Sequence, residues 1–381
     1  MKKIFKYLDK PLLIVTIILF LIGLVMVFSA SNVTAYMSYV VSPYYYFIRQ
    51  GIFLIAGLFV FLFMIRMNTK TYGIFSWGLL LILMASLVVL LAIGTAKNRA
   101  VSWFDLGFFS VQPSEFVKIV TIIFLAYYYD RNKNKLKSWS KSLFPIGICA
   151  AVAALIFMQP DLGTTIIYTA MVGLIFLSVP ISYEIKTKTF FAVVGIIGFG
   201  LLSVLGAGKG VLLERQMERF DYKRPCDKIL ENGNQVCNCY IAMNNGGLTG
   251  VGLGNSTQKY LYLPEPYTDF IFAIIVEELG VVTGVLIVLM YMFVLYRILM
   301  IGRRSPSNMG AVLCYGVAIY IFLNIAINLL GIMGMMPMTG VPLPFMSYGG
   351  SFTICLIAAL TIVQRVSVEN GRARDKEIKG K

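Results

Sequence analysis

Histidine is absent from this sequence, and charged residues are scarce. Of its 381 residues, 13% are charged and 58% are hydrophobic, whereas soluble domains carry about 25% charged residues. Without histidine, the chain cannot use a Ser-His-Asp triad, histidine metal ligands or the side chain that most often acts as a base near neutral pH. The shortage of charge excludes a soluble globular fold, because no water-surrounded core of this size could bury so much apolar surface.

Long apolar runs occupy most of the chain. A helix needs roughly 20 apolar residues to cross about 30 Å of hydrocarbon. The sequence predicts ten spans, at 11–31, 46–65, 72–94, 113–129, 143–159, 163–180, 188–206, 269–296, 309–333 and 348–365. The first is not interpreted as a signal peptide, because nine more spans follow and no soluble domain appears after it. We therefore expect an all-α integral membrane protein, a polytopic bundle of about ten transmembrane helices forming one domain over 1–381.

The basic residues predict the orientation of these spans. The formal net charge is +15, yet the lysines and arginines lie in short clusters between apolar runs, which argues against nucleic-acid binding. With ten spans, the clusters at the N-terminus, after spans four, six and eight, and in the tail 366–381 all fall on one side. Both termini are then cytoplasmic, and the uncharged segment from Ser31 to Tyr45 is the first outer connection.

One large extracellular loop, 207–268, separates spans seven and eight. Disulfides persist on the outer face of a membrane, so Cys226 is expected to pair with Cys237 or Cys239; three reduced thiols are the alternative. The loop also contains a glycine-rich run from Asn245 to Gly254. This run either brings backbone close to a lipid-linked phosphate or only turns the chain. Its neighbour Lys259 is a candidate phosphate partner, or a solvated side chain.

Ionisable residues inside spans are costly and by default suggest function. Glu115 and Lys118 are three residues apart and share one helix face. They form either an internal ion pair or the wall of a polar cavity that meets a charged ligand. Asp161 lies at a Pro-Asp-Leu-Gly break, where capping of the next helix is expected. Of Glu277 and Glu278 in span eight, at least one must face the protein interior or a partner.

Asp269 lies where the outer loop meets span eight, after two prolines. Either Thr268 or Asp269 is the N-cap of that span, or the carboxylate takes part in chemistry. A second glycine- and proline-rich run, from Thr339 to Ser351, opens span ten. Irregular backbone at membrane depth is tolerated only against protein or a cavity, so this run is a candidate cavity wall.

Taken together, these segments resemble the SEDS family of bacterial membrane glycosyltransferases, the FtsW, RodA and SpoVE group. The matching segments, in chain order, are Trp103, Gln112-Pro113-Ser114-Glu115-Phe116-Val117-Lys118, Gln159-Pro160-Asp161-Leu162-Gly163-Thr164, Asn245-Gly246-Gly247-Leu248, Gly252-Leu253-Gly254, Pro264-Glu265, Thr268-Asp269-Phe270-Ile271-Phe272, Glu277-Glu278-Leu279-Gly280, Pro342-Leu343-Pro344 and Ser347-Tyr348-Gly349-Gly350-Ser351. The run 254–264 is most similar to the FtsW division branch. The inserted segment 226–239 is similar to FtsW proteins of low-GC Gram-positive bacteria.

The resemblance implies a peptidoglycan glycosyltransferase. Such enzymes polymerise lipid II, a disaccharide-pentapeptide on undecaprenyl pyrophosphate, into glycan strands for the septal wall. They act in the bacterial plasma membrane beside a class B penicillin-binding transpeptidase and other divisome membrane proteins. In this family the aspartate of the Thr-Asp-Phe motif, here Asp269, is the catalytic residue. The substrate-binding candidates are Lys118, Glu115, Trp103, Gln112, Arg215, Lys259, Ser347, Gly349 and Gly350.

The expected chemistry needs a base beside the attacking sugar hydroxyl. It needs little acid help, because pyrophosphate leaves readily once its charge is neutralised. Asp269 could be that base, or it could hold a divalent cation such as Mg²⁺ or Mn²⁺ on the pyrophosphate; no cofactor is certain from sequence. Lys118, Arg215 and Lys259 are the candidate charge partners.

Two other functions stay open at this point. The chain could flip lipid II across the membrane, because Glu115, Lys118, Asp161 and Glu278 place ionisable groups at several depths. It could instead be a non-catalytic scaffold that recruits a transpeptidase, although the intact Asp269 motif argues against that. For a transpeptidase with one membrane anchor, glycines of spans eight and nine are the expected approach points. They are Gly280, Gly284 and Gly310.

Overall fold

The computed structural model describes residues 2–93, 95–97, 100–105, 107, 109–189, 191, 225–228, 233–260 and 262–379. Eleven α-helices lie wholly within these residues: α1 Lys2–Phe5, α2 Lys10–Tyr39, α3 Tyr45–Met64, α4 Thr69–Ile93, α5 Pro113–Arg131, α6 Trp139–Phe157, α7 Leu162–Ser178, α8 Asn234–Gly246, α9 Ile271–Arg303, α10 Asn308–Ile332 and α11 Gly350–Lys379. Residues 183–189 are also helical. Three short strands, β1 Thr95–Lys97, β2 Ala100–Asp105 and β3 Ser110–Val111, form an antiparallel sheet in that order.

The helices confirm the expected membrane architecture. Nine of the ten predicted spans coincide with helices of the described residues; the other, 188–206, lies outside them except for residues 188, 189 and 191. Seven of the described helices, α2, α3, α4, α6, α9, α10 and α11, are long and apolar enough to cross a membrane. Helix α7 is apolar but shorter, with 17 residues. The chain is therefore a multi-pass, all-α membrane protein.

The first outer connection is shorter than the sequence analysis expected. Helix α2 continues to Tyr39 and ends at Val40, which has a left-handed φ of 51°. The segment beginning at Ser31 is therefore helical rather than a loop. Its polar residues Ser31 and Thr34 are buried against the protein, so the helix can extend past the apolar run without exposing them to lipid.

Helix α5 is the centre of the bundle. It packs against α4, α6, α7, α10 and α11, and nearly all of its side chains are buried, including Glu115 and Lys118. Because α5 contacts protein on every side, it can carry charged residues that a lipid-facing helix could not. This explains how α5 can hold an ionisable pair inside the bundle.

Helix α9 is broken near its start. Gly280 has a non-helical conformation with φ 84° and ψ 165°. A Cβ atom at Gly284 would lie 2.9 Å from Val276 and 3.4 Å from Phe272, although residues 276 and 284 of a straight helix are about 12 Å apart along its axis. The first arm, Ile271–Leu279, therefore folds back against the second arm, 281–303.

The expected partner approach points on spans eight and nine are occupied by the chain itself. Gly284 packs against the first arm, and a side chain at Gly280 would collide with the carbonyl of Leu248. Gly310 packs against Ser305. The prediction that these glycines offer a partner close access is wrong, because their small size serves contacts within this chain.

Candidate functional site

Asp269 lies in a pocket at one end of the helix bundle. The pocket has an open volume of about 170 Å³ and is lined by Asp269, Ile327, Asn328, Gly331, Met338, Thr339, Gly340 and Val341. Asn328 lies twenty residues after the start of α10, so about 30 Å of helix separates the pocket from the basic connection between α9 and α10. This distance equals the thickness of the hydrocarbon layer. The pocket and that basic connection are therefore at opposite ends of α10.

The pocket leaves the carboxylate of Asp269 approachable. Asp269 is half-buried, and a Cβ atom at Gly340 would lie 3.5 Å from its Oδ2 atom. A glycine with φ of 72° at that position therefore lets the backbone of the pocket wall pass close to the carboxylate.

Neither Thr268 nor Asp269 caps helix α9. The helix begins at Ile271 with Phe270 as its N-cap, and no side chain caps it. The hydroxyl of Thr268 donates instead to the carbonyl of Glu265 at 2.9 Å. The capping interpretation of Asp269 is therefore wrong, because the helix starts one residue further along the chain than that interpretation requires.

The backbone around Asp269 is held by donors from elsewhere in the chain. Three consecutive carbonyls each accept one hydrogen bond: Tyr267 from the Tyr348 amide at 2.9 Å, Thr268 from the Ser347 hydroxyl at 2.6 Å and Asp269 from the Asn328 side-chain amide at 2.9 Å. We call these three donors the carbonyl clamp. They fix the position of Asp269 without using its carboxylate.

The predicted substrate residues of the 347–350 segment make internal contacts. Ser347 is 2% exposed, and its hydroxyl also accepts from the Leu343 amide at 2.8 Å. The Gly349 amide donates to the side chain of Gln50 at 3.3 Å. A Cβ atom at Gly350 would lie 2.6 Å from the ring of Phe53. In the structure these three residues shape the site rather than face the pocket.

Glu115 and Lys118 form an internal ion pair. Their charged groups are 2.8 Å apart, and the side chains are 3% and 1% exposed. The Tyr320 hydroxyl donates to the other oxygen of Glu115 at 3.4 Å, and the Lys118 ammonium lies 5.4 Å from the centre of the Tyr320 ring. Both charges are thus compensated inside the protein. Among the described residues that line the pocket, neither is present.

Gln112 and Asp161 join the starts of two helices. Asp161 caps α7 through a hydrogen bond from the Thr164 amide at 3.0 Å, as expected from the sequence. Its second oxygen accepts from the side chain of Gln112 at 3.3 Å. Gly163 then packs against the pocket wall, because a Cβ atom there would lie 2.6 Å from the Thr339 carbonyl. Gln112 and Asp161 therefore hold the start of α7, and Gly163 of that helix packs against the pocket wall.

Two further predicted residues have different outcomes. Trp103 is half-buried in strand β2, where it pairs with Thr95, and it is not among the described residues lining the pocket. Arg215 lies outside the described residues.

The glycine-rich run fills the break in helix α9. Four backbone hydrogen bonds join them: Val251 to Glu277 at 3.0 Å, Gly252 to Glu278 at 3.0 Å, Val281 to Gly247 at 3.0 Å and Val282 to Leu248 at 3.3 Å. The run thus satisfies the carbonyls and amides that the break leaves without helical partners. Of the two alternatives that the sequence left open, these contacts favour a structural role for the run, because several of its backbone groups are used within the protein.

Glu277 and Glu278 organise the chain that follows this run. Glu277 accepts hydrogen bonds from Ser256 and from the Thr257 hydroxyl, the latter at 2.9 Å. Glu278 accepts from Lys259 at 2.9 Å and from Ser29 of helix α2 at 2.6 Å. Both glutamates are fully buried, so both face the interior, as at least one was expected to do.

Lys259 is not a phosphate partner in this structure. It is 1% exposed, and its ammonium also donates to the Gly254 carbonyl at 2.6 Å. Glu278 is its counter-ion, so the positive charge of this lysine is already neutralised within the protein. The sequence could not show this, because the glutamate lies 19 residues away in another element.

The outer loop contains one disulfide in its described part. Cys226 is bonded to Cys237, one of the two partners that the sequence left open. Cys239 is a buried free thiol whose pKa is raised by that burial. Helix α8, which carries Cys237, is tied to the C-terminal end of α10 by a hydrogen bond from the Tyr240 hydroxyl to the Met333 carbonyl at 2.8 Å.

Sequence reasoning missed two amide side chains at the site. Asn328 lines the pocket and belongs to the carbonyl clamp, and Gln50 holds the Gly349 amide. The available signal was a hydrogen-bonding side chain inside an apolar run, which is expected to face protein rather than lipid.

Comparisons with known proteins agree on one family. The model of the FtsW, RodA and SpoVE family, described as cell cycle protein, matches residues 10–372. The probable peptidoglycan glycosyltransferase FtsW of Bacillus subtilis (strain 168) is 36% identical over 97% of this chain and 92% of its own length. Stage V sporulation protein E of the same organism is 35% identical over 94% of this chain and 96% of its own length.

Solved structures share the fold at lower sequence identity. A chain from a peptidoglycan synthase complex, described as coordinating polymerization and crosslinking, has a TM-score of 0.75 at 22% identity; the match covers 95% of this chain and 98% of that one. The rod shape determining protein RodA of Thermus thermophilus has a TM-score of 0.66 at 22% identity, over 94% and 96% of the two chains.

Proposed function

Because the chain belongs to the FtsW, RodA and SpoVE family, we propose that it is a peptidoglycan glycosyltransferase that polymerises lipid II, with Asp269 as its catalytic residue. The observation that carries the proposal is the position of Asp269. Its carboxylate lines a pocket at the end of the bundle, and its backbone is fixed by the carbonyl clamp. A group held in this way is suited to act on a bound sugar.

The proposed reaction joins a sugar hydroxyl to the anomeric carbon of a lipid-linked sugar. Asp269 takes the proton of the attacking hydroxyl as the new carbon–oxygen bond forms, and the bond to the lipid pyrophosphate breaks with its electron pair leaving on the phosphate. A positioned general base contributes about 10²- to 10⁴-fold to such a step. No histidine competes for this role.

A divalent cation is compatible with the same carboxylate. No cluster of three or more histidine, cysteine, aspartate or glutamate side chains is placed to hold a metal among the residues that the structure describes. Mg²⁺, however, is often bound by one or two carboxylates together with substrate phosphates. Asp269 would hold such an ion, which would neutralise charge on the pyrophosphate. Lys118 and Lys259 cannot supply that charge, since each is paired internally.

The proposed topology places the site outside the cell. Both termini are cytoplasmic, and Asp269 faces the outer side. The basic residues Arg297, Arg303 and Arg304 at the far end of the second arm support this orientation under the positive-inside rule. Cytoplasmic ends also agree with the pairing of Arg297 with Asp9 near the N-terminus, with oxygen and nitrogen 2.5 Å apart.

The proposed partner is a class B penicillin-binding transpeptidase, and the proposed site of action is the division septum. The relatives named FtsW and the sporulation relative support a role in building a septum. The similar chain from a peptidoglycan synthase complex that couples polymerization to crosslinking supports a transpeptidase partner. Other divisome membrane proteins would contact the same assembly.

The test is lipid II polymerisation by the purified full-length protein in proteoliposomes, with and without the transpeptidase. We expect glycan strands, detected by gel electrophoresis of labelled product, and faster synthesis with the partner. A flippase would instead move lipid II between leaflets without forming strands. A scaffold would do neither. No glycan strands would form, either with or without the transpeptidase.

A further inference from the structure

We infer that the carbonyl clamp is a positioning device for Asp269, and that Asn328 is the positioning residue on which it depends most. This inference rests on the proposed function, because it assigns Asn328 a role in the same reaction. Asn328 would not touch the reacting atoms. It would act through Asp269, whose backbone carbonyl it holds at 2.9 Å.

Asp269 needs such support because of where it lies. The segment 264–270 is not helical, and helix α9 starts after it without a side-chain cap. No regular secondary structure therefore fixes the backbone at Asp269. The hydrogen bonds that fix it come from α10 and from the segment before α11. A misplacement of about 1 Å at a reacting group can cost on the order of 10²-fold in rate.

The side-chain amide of Asn328 is held in one orientation. Its nitrogen donates to the Asp269 carbonyl at 2.9 Å and to the Val341 carbonyl at 2.8 Å, which uses both of its hydrogens. The flipped amide would place its oxygen against two carbonyl oxygens. One side chain thus ties the Asp269 segment to the opposite pocket wall at Gly340 and Val341.

The oxygen of the same amide makes no hydrogen bond to the described residues, so the two donated bonds are the polar contacts that a substitution would remove. Asn328 is 5% exposed, and its Oδ1 atom has no hydrogen-bond partner in the structure. A buried acceptor without a partner costs free energy. An apolar side chain of similar size would avoid that cost but could not donate to either carbonyl. A substitution by leucine therefore tests the two donated bonds.

Ser347 supplies a second, separable part of the clamp. Its hydroxyl accepts from the Leu343 amide at 2.8 Å and donates to the Thr268 carbonyl at 2.6 Å. It thus joins the two ends of the 343–347 segment and also holds the carbonyl of the residue before Asp269. Removing this hydroxyl leaves Asn328 in place, so the effects of Ser347 and Asn328 can be measured independently.

A matched control lies one helical turn away on α10. Asn324 is fully buried, and its Oδ1 atom also has no partner in the structure. Its side-chain nitrogen, however, donates to the Tyr320 carbonyl of its own helix at 2.7 Å. Asn324→Leu and Asn328→Leu therefore make the same change in the same helix, and only the second removes a contact with Asp269.

The experiment compares kcat and KM for lipid II polymerisation, together with thermal unfolding midpoints, in full-length protein with its transpeptidase. Asn328→Leu should lower kcat by about 10- to 100-fold with KM unchanged, because the substrate still binds while the base is displaced. Ser347→Ala should lower kcat by a smaller factor. Asn324→Leu should keep the parental kcat. Asn328→Leu should also unfold at a lower temperature than Asn324→Leu, because it leaves two carbonyls of other segments without their donor.

Several results would overturn the inference. A parental kcat in Asn328→Leu, or a rise in KM alone, would show that Asn328 does not position the base. An equal loss of kcat in Asn324→Leu would show a general effect of altering α10. If Asn328→Leu does not fold, Asn328→Ser carries the test with the same criteria. Parental activity of Asp269→Asn in the same assay would instead reject the proposed role of Asp269 and leave the clamp as a structural feature.

Discussion

At the scale of single residues, Glu115 and Lys118 show that a charged residue within a membrane span can serve an internal ion pair rather than ligand binding. From the sequence, either residue could have met a charged ligand. The structure pairs them at 2.8 Å with Tyr320 alongside. Spacing on one helix predicted that they could meet, but only the burial of α5 decides that they face each other rather than a cavity.

This pair gives a prediction about stability. Lys118→Met leaves the Glu115 carboxylate buried without a counter-ion, and breaking a buried pair in this way costs about 3–5 kcal/mol. The double variant Glu115→Gln/Lys118→Met removes both charges and should recover most of the loss. Thermal unfolding of the purified protein in detergent measures both. A double variant as unstable as the single one, with weaker lipid II binding, would instead favour a substrate contact.

The cysteines of the outer loop give a second prediction at this scale. The Cys226–Cys237 bond should appear as a cross-linked peptide when unreduced protein is alkylated, digested and analysed by mass spectrometry. Cys239 should remain unlabelled until the protein is denatured, because it is buried and its pKa is raised. Alkylation of all three thiols in the native, unreduced protein would contradict the pairing.

At the scale of elements, the glycine-rich run and the broken helix α9 form one unit. The sequence shows the run and the Glu-Glu-Leu-Gly motif as separate features, and it left open whether the run approaches a phosphate or only turns the chain. The four backbone hydrogen bonds between them join residues about 30 positions apart. Composition and periodicity report only on neighbours along the chain, so they cannot show that one segment completes another.

Two glycines of this unit provide a matched test. Gly250 and Gly254 have nearly the same φ, 83° and 86°. A side chain at Gly250 would also collide with the Glu278 carbonyl, whereas nothing lies within 4 Å of a Cβ atom at Gly254. Gly254→Ala should therefore show only the left-handed backbone penalty, roughly 1–2 kcal/mol, and Gly250→Ala clearly more. Equal thermal shifts for the two variants would show that the run does not pack tightly into the helix break.

At the scale of the whole molecule, the sequence was most informative about the membrane. Apolar runs predicted nine helices of the described residues because hydrophobic length is a local property. The site was predicted only in part. Asp269 came from the family resemblance, while Asn328 lies 59 residues away and reaches it only through the packing of α10 against the first arm of α9. Such contacts depend on the complete fold.

Topology is the prediction that belongs to this scale. Reporter fusions at Lys135 and at Lys228 should report opposite sides of the membrane, because the first follows α5 in a basic connection and the second belongs to the outer loop. An alkaline phosphatase fusion at Lys228 should be active, and one at Lys135 should be inactive. The same reporter response at both positions would contradict ten spans with cytoplasmic termini.

The most direct test of the account is the polymerisation of lipid II by purified Asp269→Asn protein with its transpeptidase. The amide has the same size, so the carbonyl clamp and the pocket are preserved while the charge is lost. Removal of a general base should lower the rate by about 10²- to 10⁴-fold. Glu265→Gln, in the same approach to helix α9, makes the same chemical change outside the described pocket lining and should be far milder. Synthesis by Asp269→Asn at close to the parental rate would show that Asp269 is not the catalytic residue.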